Sequence, residues 1–249
     1  MPETASNRAL ALRLLPLLDL TSLGEDDSPA KIELLCAAAR TPHGWPAALC
    51  VYPEHVTTVR REMQGTPVRV ATVVNFPDGG SDAARVGLET RRAIAAGADE
   101  IDMVFPYRAF GRGEIELAKA AVLACRAACR DGVICKLILE TGVLATQELI
   151  SRASVLGIDA GVDFLKTSTG KAAVNATPDA ASWMLDAIAE SGGRCGLKVA
   201  GGIRTLADAA RYLDLTTARM GEDWIDPSHF RIGASALFTE MLAALEGSR

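Results

Sequence analysis

The sequence predicts a single domain over residues 1–249, an α/β fold of the (β/α)8 barrel class. Eight apolar, β-favouring runs recur along the chain, and segments with helical spacing separate them. The runs are nearly all apolar instead of alternating with polar residues, which is typical of parallel strands buried on both faces. Eight such β-then-α units in 249 residues match the size of this barrel class.

The predicted strands define the order of the barrel. In chain order they are LPLLDLTS (15–22), AALCVY (47–52), RVATVVNF (69–76), DEIDMVF (99–105), VICKLILET (133–141), GVDFLKTST (161–169), CGLKVAGG (195–202) and FRIGASAL (230–237). A doubly wound parallel sheet is the alternative, because a strand number read from one sequence can be wrong by about one or two. No Rossmann or P-loop glycine pattern supports that alternative.

The helices between the strands are indicated by their end signals. The clearest one has Thr177 as its N-cap and Pro178 in its first turn, and it ends at Gly192. Segments 81–97 and 146–157 show a similar apolar spacing between end signals.

Composition and charge exclude several classes of protein. The net charge is −5 and no basic run occurs, so we expect no nucleic-acid partner. Arg13 and Asp19 interrupt the apolar stretch near the start, which argues against a signal peptide, and no run approaches membrane-spanning length. We therefore expect a cytoplasmic protein with no membrane partner.

Cysteine and histidine spacing predicts neither a metal centre nor a catalytic triad. The six cysteines form no CxxC pair and share no spacing with a histidine, so we expect reduced, mostly buried thiols and no metal. The three histidines stand outside any serine or cysteine constellation.

The lysines point to the chemistry. Only six of the 26 basic residues are lysine, yet Lys136, Lys166 and Lys198 fall in the predicted strands 5 to 7. A desolvated or crowded lysine amine loses its proton and forms a Schiff base with a carbonyl, which a guanidinium does not do. Lys166 and Lys198 come late in neighbouring strands, where barrel active sites lie, and Asp102 comes late in strand 4. The alternative, which we favour for Lys136, is a strand lysine that reaches water or pairs with a carboxylate such as Asp99, Glu100 or Glu140.

Glycines after strands 7 and 8 indicate an anion site. Gly201, Gly202 and Gly233 would let backbone N–H groups approach a phosphate at the start of the following helices. Side-chain donors near these glycines are Lys171, Arg204 and Ser235. The alternative is that the glycines only permit tight turns.

Several motifs, in this order and spacing, resemble the deoxyribose-phosphate aldolase family: DEIDMVFPYRA, DFLKTSTGK, NATP, LKVAGGIRT and GAS. The similarity extends to LLDLTSL, CVYP and VVNFP, so it covers nearly the whole chain. The resemblance implies a class I aldolase on a TIM barrel that reversibly cleaves 2-deoxy-D-ribose 5-phosphate to acetaldehyde and D-glyceraldehyde 3-phosphate. It implies no metal and no organic cofactor.

The resemblance also implies roles for individual residues. Lys166 is the Schiff-base lysine, Lys198 lowers its pKa, and Asp102 takes part in proton transfer through a water. The residues that it places around the sugar or its phosphate are Thr169, Gly170, Lys171, Gly201, Gly202, Arg204, Gly233 and Ser235. Asp19 is expected at the substrate for a different reason, its late position in the predicted strand 1. The partners are then the sugar phosphate and the aldehydes, and the sequence leaves a homodimer as one candidate assembly.

The chain departs from the family pattern in three places. Val199 and Ala200 follow Lys198 where other members often have Pro-Ala or Ala-Ser, and Ala236 replaces a second serine after Ser235. The sequence ends at LEGSR, without the tyrosine-ended tail of some members, so we expect no tail-assisted proton transfer. Two other interpretations of the motifs remain, a pyridoxal-phosphate barrel and a non-catalytic sugar-phosphate-binding barrel.

Overall fold

The computed structural model describes residues 2–247, and the last two residues of the tail lie outside this range. Eight parallel strands form a closed barrel in which each strand pairs with the next in sequence and β8 pairs with β1. The predicted (β/α)8 barrel is therefore confirmed, and the doubly wound alternative is wrong because the sheet has no open edges. The strands are β1 Leu18–Thr21, β2 Ala48–Val51, β3 Arg69–Val74, β4 Glu100–Val104, β5 Ile134–Ile138, β6 Phe164–Lys166, β7 Gly196–Ala200 and β8 Phe230–Ala234.

Helices connect the strands and cover the outside of the barrel. The predicted end signals are found at α9, where the Thr177 hydroxyl accepts a hydrogen bond from Ala180 N at 3.2 Å and Pro178 is the first residue. The helices are α1 Pro2–Leu14, α2 Pro29–Ala38, α3 Val56–Glu62, α4 Ala83–Ala95, α5 Tyr107–Gly111, α6 Ile115–Ala128, α7 Thr141–Leu144, α8 Gln147–Asp159, α9 Pro178–Glu190, α10 Leu206–Met220 and α11 Ala236–Glu246. No helix among the described residues is long and apolar enough to cross a membrane.

Strand register decides which side chains face the inside of the barrel. Leu137, Leu165 and Leu197 are register partners on β5, β6 and β7, and Gly157 of α8 packs against the first two. Because side chains alternate between the two faces of a strand, the residue on either side of each leucine points into the barrel. This alternation places Lys166 and Lys198 inside, as register partners of each other.

The barrel interior is divided between apolar and charged residues. Ala48, Cys50, Ala71 and Val73 form a small apolar cluster on the β2 and β3 side. Barrel interiors of this class are usually filled by layers of branched apolar side chains. Here the interior also holds a group of buried charged side chains, namely Asp19, Glu100, Asp102, Lys136, Lys166, Lys198 and Arg231.

Candidate active site

A pocket of about 500 Å³ opens at the carboxyl ends of β1, β6, β7 and β8. Lys166 lies at its floor and keeps only 2% of its surface exposed. Most of the predicted site residues line this pocket, namely Lys166, Thr169, Gly170, Lys171, Gly201, Gly202, Arg204, Gly233 and Ser235. The structure thus brings together residues from three separate strands and their loops.

The Lys166 amine shares one carboxylate oxygen with a second lysine. Its Nζ donates a hydrogen bond to Asp102 Oδ2 at 2.8 Å, and Lys198 Nζ donates to the same oxygen at 2.7 Å. Asp102 and Lys198 have no exposed surface and lie beneath Lys166, outside the pocket lining. Only the Lys166 amine of this trio is therefore available to a substrate.

A buried ion-pair network supports these three groups from below. Lys198 Nζ lies 2.6 Å from Asp19 Oδ2, and Arg231 Nη1 lies 2.6 Å from Asp19 Oδ1. Lys136 Nζ lies 2.9 Å from Asp102 Oδ1 and 3.1 Å from Asp19 Oδ2. Glu100 completes the network by pairing with both Lys136 and Arg231.

The formal charges of the buried groups in this network balance without Lys166. Three buried carboxylates, on Asp19, Glu100 and Asp102, face three buried cations, on Lys136, Lys198 and Arg231. The half-exposed Arg69 also pairs with Glu100, at 3.7 Å, from the edge of the network. A buried net charge is costly, so the balance favours a neutral amine on the remaining lysine.

The environments of the two lysines move their pKa values in opposite directions. Burial lowers the pKa of Lys166 and the Lys198 ammonium lowers it further, although Asp102 opposes both. Burial also acts against the charged form of Lys198, but Asp102 and Asp19 outweigh it and raise the pKa of this group. Lys166 is therefore the amine that gives up its proton more easily, with burial rather than Lys198 as the larger cause.

Asp19 lies away from its expected place, whereas Asp102 lies beside Lys166 and Lys198. Asp19 was expected beside the sugar or phosphate, but it is fully buried and paired with Lys136, Lys198 and Arg231, because its side chain points into the barrel below the pocket. Burial raises the pKa of Asp102, but three lysines together lower it well below its usual range. A carboxylate with so low a pKa is a weak base, so this environment favours holding the two amines over accepting a proton.

Gly233 has a packing role that the glycine pattern did not predict. A Cβ at this position would lie 2.9 Å from Cε of Lys198, so no larger residue leaves room for that side chain. Gly201 has φ of +86°, which favours glycine, and a Cβ there would approach the Asn175 side chain to 2.6 Å.

The start of α11 is a better place for an anion than the start of α10. Thr205 and Asp208 form a capping box at α10, and the Asp208 carboxylate accepts hydrogen bonds from Arg204 N and Thr205 N. At α11, no side chain of the described residues caps the helix, and Ser235 is its N-cap residue. Backbone N–H groups at this end therefore remain for a ligand that lies in the pocket.

The remaining predicted residues line the rim of the pocket. The Lys171 ammonium donates to Leu23 O at 2.6 Å and so links the β6 loop to the β1 loop. The Thr169 hydroxyl donates to the carboxylate of Glu140, a residue buried at the end of β5 with φ of +56°. Burial raises the pKa of Glu140, although hydrogen bonds from Thr169 oppose it.

Sequence reasoning missed part of this site. Arg231 was not singled out, and Glu100 and Glu140 were named only as carboxylate partners for a strand lysine. Lys136 does pair with Glu100, and also with Asp19 and Asp102. These residues could have been found by the signal that identified the lysines, namely a charged residue inside an apolar strand. Arg231 stands in such a run and is the register partner of Lys198.

Comparison with known proteins agrees with this architecture. A sequence profile of the DeoC/LacD family aldolases matches residues 14–236. A provisionally assigned deoxyribose-phosphate aldolase from Coccidioides immitis is 28% identical, with a TM-score of 0.81 over 97% of this chain and 96% of that chain. The apo form of a second provisionally assigned deoxyribose-phosphate aldolase, from Toxoplasma gondii ME49, is 25% identical. Its TM-score is 0.90, over 98% of this chain and 99% of that chain.

A more distant structure supports the fold alone. The deoxyribose phosphate aldolase from Aeropyrum pernix, which is tetrameric, is 21% identical with a TM-score of 0.75 over 98% of this chain and 93% of that chain. The profile match covers well over half of the present chain, from α1 to the start of α11. The chain belongs to the DeoC/LacD family of aldolases, and it is an enzyme of the lyase class.

Proposed function

We propose that this aldolase reversibly cleaves 2-deoxy-D-ribose 5-phosphate to acetaldehyde and D-glyceraldehyde 3-phosphate through a Schiff base on Lys166. One observation carries the proposal: an amine with a lowered pKa lies at the floor of a pocket whose rim suits a phosphate. The reaction as proposed uses no metal and no organic cofactor. A cytoplasmic location and a homodimeric assembly stay predictions.

The two ends of the pocket suit the two ends of the sugar. A phosphate can accept hydrogen bonds from the backbone of Gly201 and Gly202 and from the uncapped start of α11, beside Ser235. The aldehyde carbon then points down to Lys166. Ala236, in the place of a second serine, contributes its backbone N–H but no hydroxyl to this end.

The reaction begins when the neutral amine of Lys166 attacks C1 of the open-chain sugar. The carbinolamine loses water and gives a protonated imine, which accepts an electron pair. When the C3 hydroxyl loses its proton, the C2–C3 bond breaks and its electron pair moves into the imine to form an enamine. Glyceraldehyde 3-phosphate leaves, C2 of the enamine takes a proton, and hydrolysis releases acetaldehyde and the free amine.

The charged residues below Lys166 keep this sequence of steps possible at neutral pH. Lys198 stays protonated and Asp102 stays ionised, so the hydrogen bond from Lys166 to Asp102 fixes the position of the amine while its lone pair faces the pocket. The proton from the C3 hydroxyl passes to water in the open pocket, with which Asp102 was predicted to cooperate.

The test of this proposal is a product assay with the purified chain. Cleavage of 2-deoxyribose 5-phosphate should give acetaldehyde and glyceraldehyde 3-phosphate in equal amounts, and plain 2-deoxyribose should react more slowly because it lacks the binding energy of the phosphate. Cleavage of a different phosphorylated sugar in its place would keep the aldolase chemistry and overturn the substrate. A yellow protein whose absorbance disappears with borohydride would indicate pyridoxal phosphate instead.

A negative charge at the phosphate end of the pocket should affect 2-deoxyribose 5-phosphate and plain 2-deoxyribose differently. Ser235→Asp places a carboxylate beside the proposed phosphate, so KM for 2-deoxyribose 5-phosphate should rise by about 10-fold or more through like-charge repulsion. KM for plain 2-deoxyribose should change little, which makes this sugar the internal control. Equal losses for both sugars in steady-state assays would place the phosphate elsewhere.

A further inference from the structure

Three cysteines that the aldolase reaction does not use meet outside the barrel wall. The sulfur atoms of Cys125, Cys129 and Cys135 all lie within 4.8 Å of one another, and Cys125 Sγ lies 3.8 Å from Cys135 Sγ. Each of the three residues is at most 1% exposed. The remaining cysteines, Cys36, Cys50 and Cys195, are also buried free thiols, but they are not part of this cluster.

Local structure explains why these three thiols converge. Cys125 lies in the last turn of α6 and Cys129 is the C-cap residue of that helix, four positions later, so both thiols lie on one face. Cys135 is on β5, next to Lys136, whose side chain points into the barrel. The Cys135 thiol therefore points outward from the barrel, toward α6.

We propose that Cys125, Cys129 and Cys135 bind one soft monovalent ion, with Cu(I) as its biological representative, in a three-sulfur site. Thiolate sulfur at about 2.3 Å from a central ion places three coplanar sulfurs about 4.0 Å apart. The observed sulfur separations, 3.8 Å for one pair and at most 4.8 Å for the others, need only small rotamer changes to reach this geometry.

The donor set selects the ion. Thiolates bind soft ions such as Cu(I), whereas structural zinc sites use four ligands. Among the described residues, no histidine, aspartate or glutamate completes the cluster. The Thr90 hydroxyl lies 3.5 Å from Cys125 Sγ and donates to Val86 O, so it is a neighbour of the cluster rather than a fourth ligand.

A short turn gives the ion a route to the thiols. Residues 130–132 directly follow Cys129 and are exposed, and they connect α6 to β5. Opening of this turn uncovers Cys129 first. Binding then forms three Cu–S bonds and releases the thiol protons to solvent, and the copper remains Cu(I) throughout.

The test is an anaerobic titration of the full, reduced chain with Cu(I) in competition with a chromogenic Cu(I) chelator. We expect one copper per chain and three Cu–S contacts by X-ray absorption. Cys125→Ser and Cys135→Ser should each weaken binding by at least about 100-fold, since loss of a second-shell partner alone costs about 10- to 100-fold. Cys36→Ser and Cys195→Ser are the matched controls and should bind copper as the unmodified chain does.

The Tm provides a second readout, which applies also to variants that are less stable. Cu(I) should raise the Tm of the unmodified chain and of the two control variants but not that of Cys129→Ala, whose residue lies at the end of its helix. Three results would overturn the proposal: no bound copper, unchanged binding in Cys125→Ser, or Zn(II) bound as tightly as Cu(I). None of these results bears on the aldolase reaction, because the cluster and Lys166 lie on opposite sides of the barrel wall.

Discussion

Lys166→Arg should abolish aldolase turnover, with a loss on the order of 10⁴- to 10⁶-fold, the size of effect seen when a covalent nucleophile is removed. Arginine keeps a hydrogen-bond donor beside Asp102 but does not lose its proton at neutral pH, so no imine can form. The measurement is steady-state cleavage of 2-deoxyribose 5-phosphate. Lys119→Arg, the same change at an exposed position on α6, is the control and should keep full activity.

A second variant controls for the possibility that arginine is too large for this buried position. Lys166→Met has a similar volume and no charge, so it should fold with a normal circular dichroism spectrum and also lack turnover. Appreciable turnover in a folded Lys166→Met would mean that another amine or another kind of chemistry carries the reaction.

Lys198→Leu should lower the rate of cleavage at pH 7 by about 10- to 100-fold. The increase in rate that accompanies deprotonation of Lys166 should shift toward higher pH. At an ordinary lysine pKa of about 10.4, only about one amine in 2,500 is neutral at pH 7. Lys198 lowers the pKa of Lys166, so its removal raises that pKa, and each unit of rise costs about tenfold in neutral amine. Burial remains in the variant, so the pKa need not return to its ordinary value.

The control for this variant removes a different buried cation from the same network. Lys136 contacts the other oxygen of Asp102, Oδ1, and does not share Oδ2 with Lys166. Lys136→Leu should therefore lower the free energy of unfolding comparably while it moves the pH–rate profile less. A Lys198→Leu enzyme with the profile of the unmodified chain would show that Lys198 does not tune Lys166.

The sequence was sufficient for the fold because the apolar runs mark every strand. Parallel strands in a closed barrel present their carboxyl ends at one rim, so late polar residues on neighbouring strands, such as Lys166 and Lys198, were expected to meet. The helix end signals at Thr177 and Pro178 were also sufficient, because capping is a local interaction.

How deep each side chain lies in the barrel could not be predicted from the sequence. Asp19 was predicted at the substrate because it comes late in the first strand, but its side chain is fully buried and pairs with Lys198 and Arg231. The shared oxygen of Asp102 and the contact of Gly233 with Lys198 depend on three-dimensional packing at the scale of 1 Å. The cysteine cluster was missed for a related reason, since it joins a helix to the following strand without a CxxC motif.

Trapping of the imine tests the central claim most directly. Borohydride added with acetaldehyde or 2-deoxyribose 5-phosphate should reduce the imine to a stable secondary amine, and peptide mass mapping should find the added mass on Lys166. Omission of the aldehyde or sugar phosphate should leave the peptide unlabelled. Label on Lys136 or Lys198 alone, or no label in a chain that still cleaves the sugar phosphate, would contradict the account.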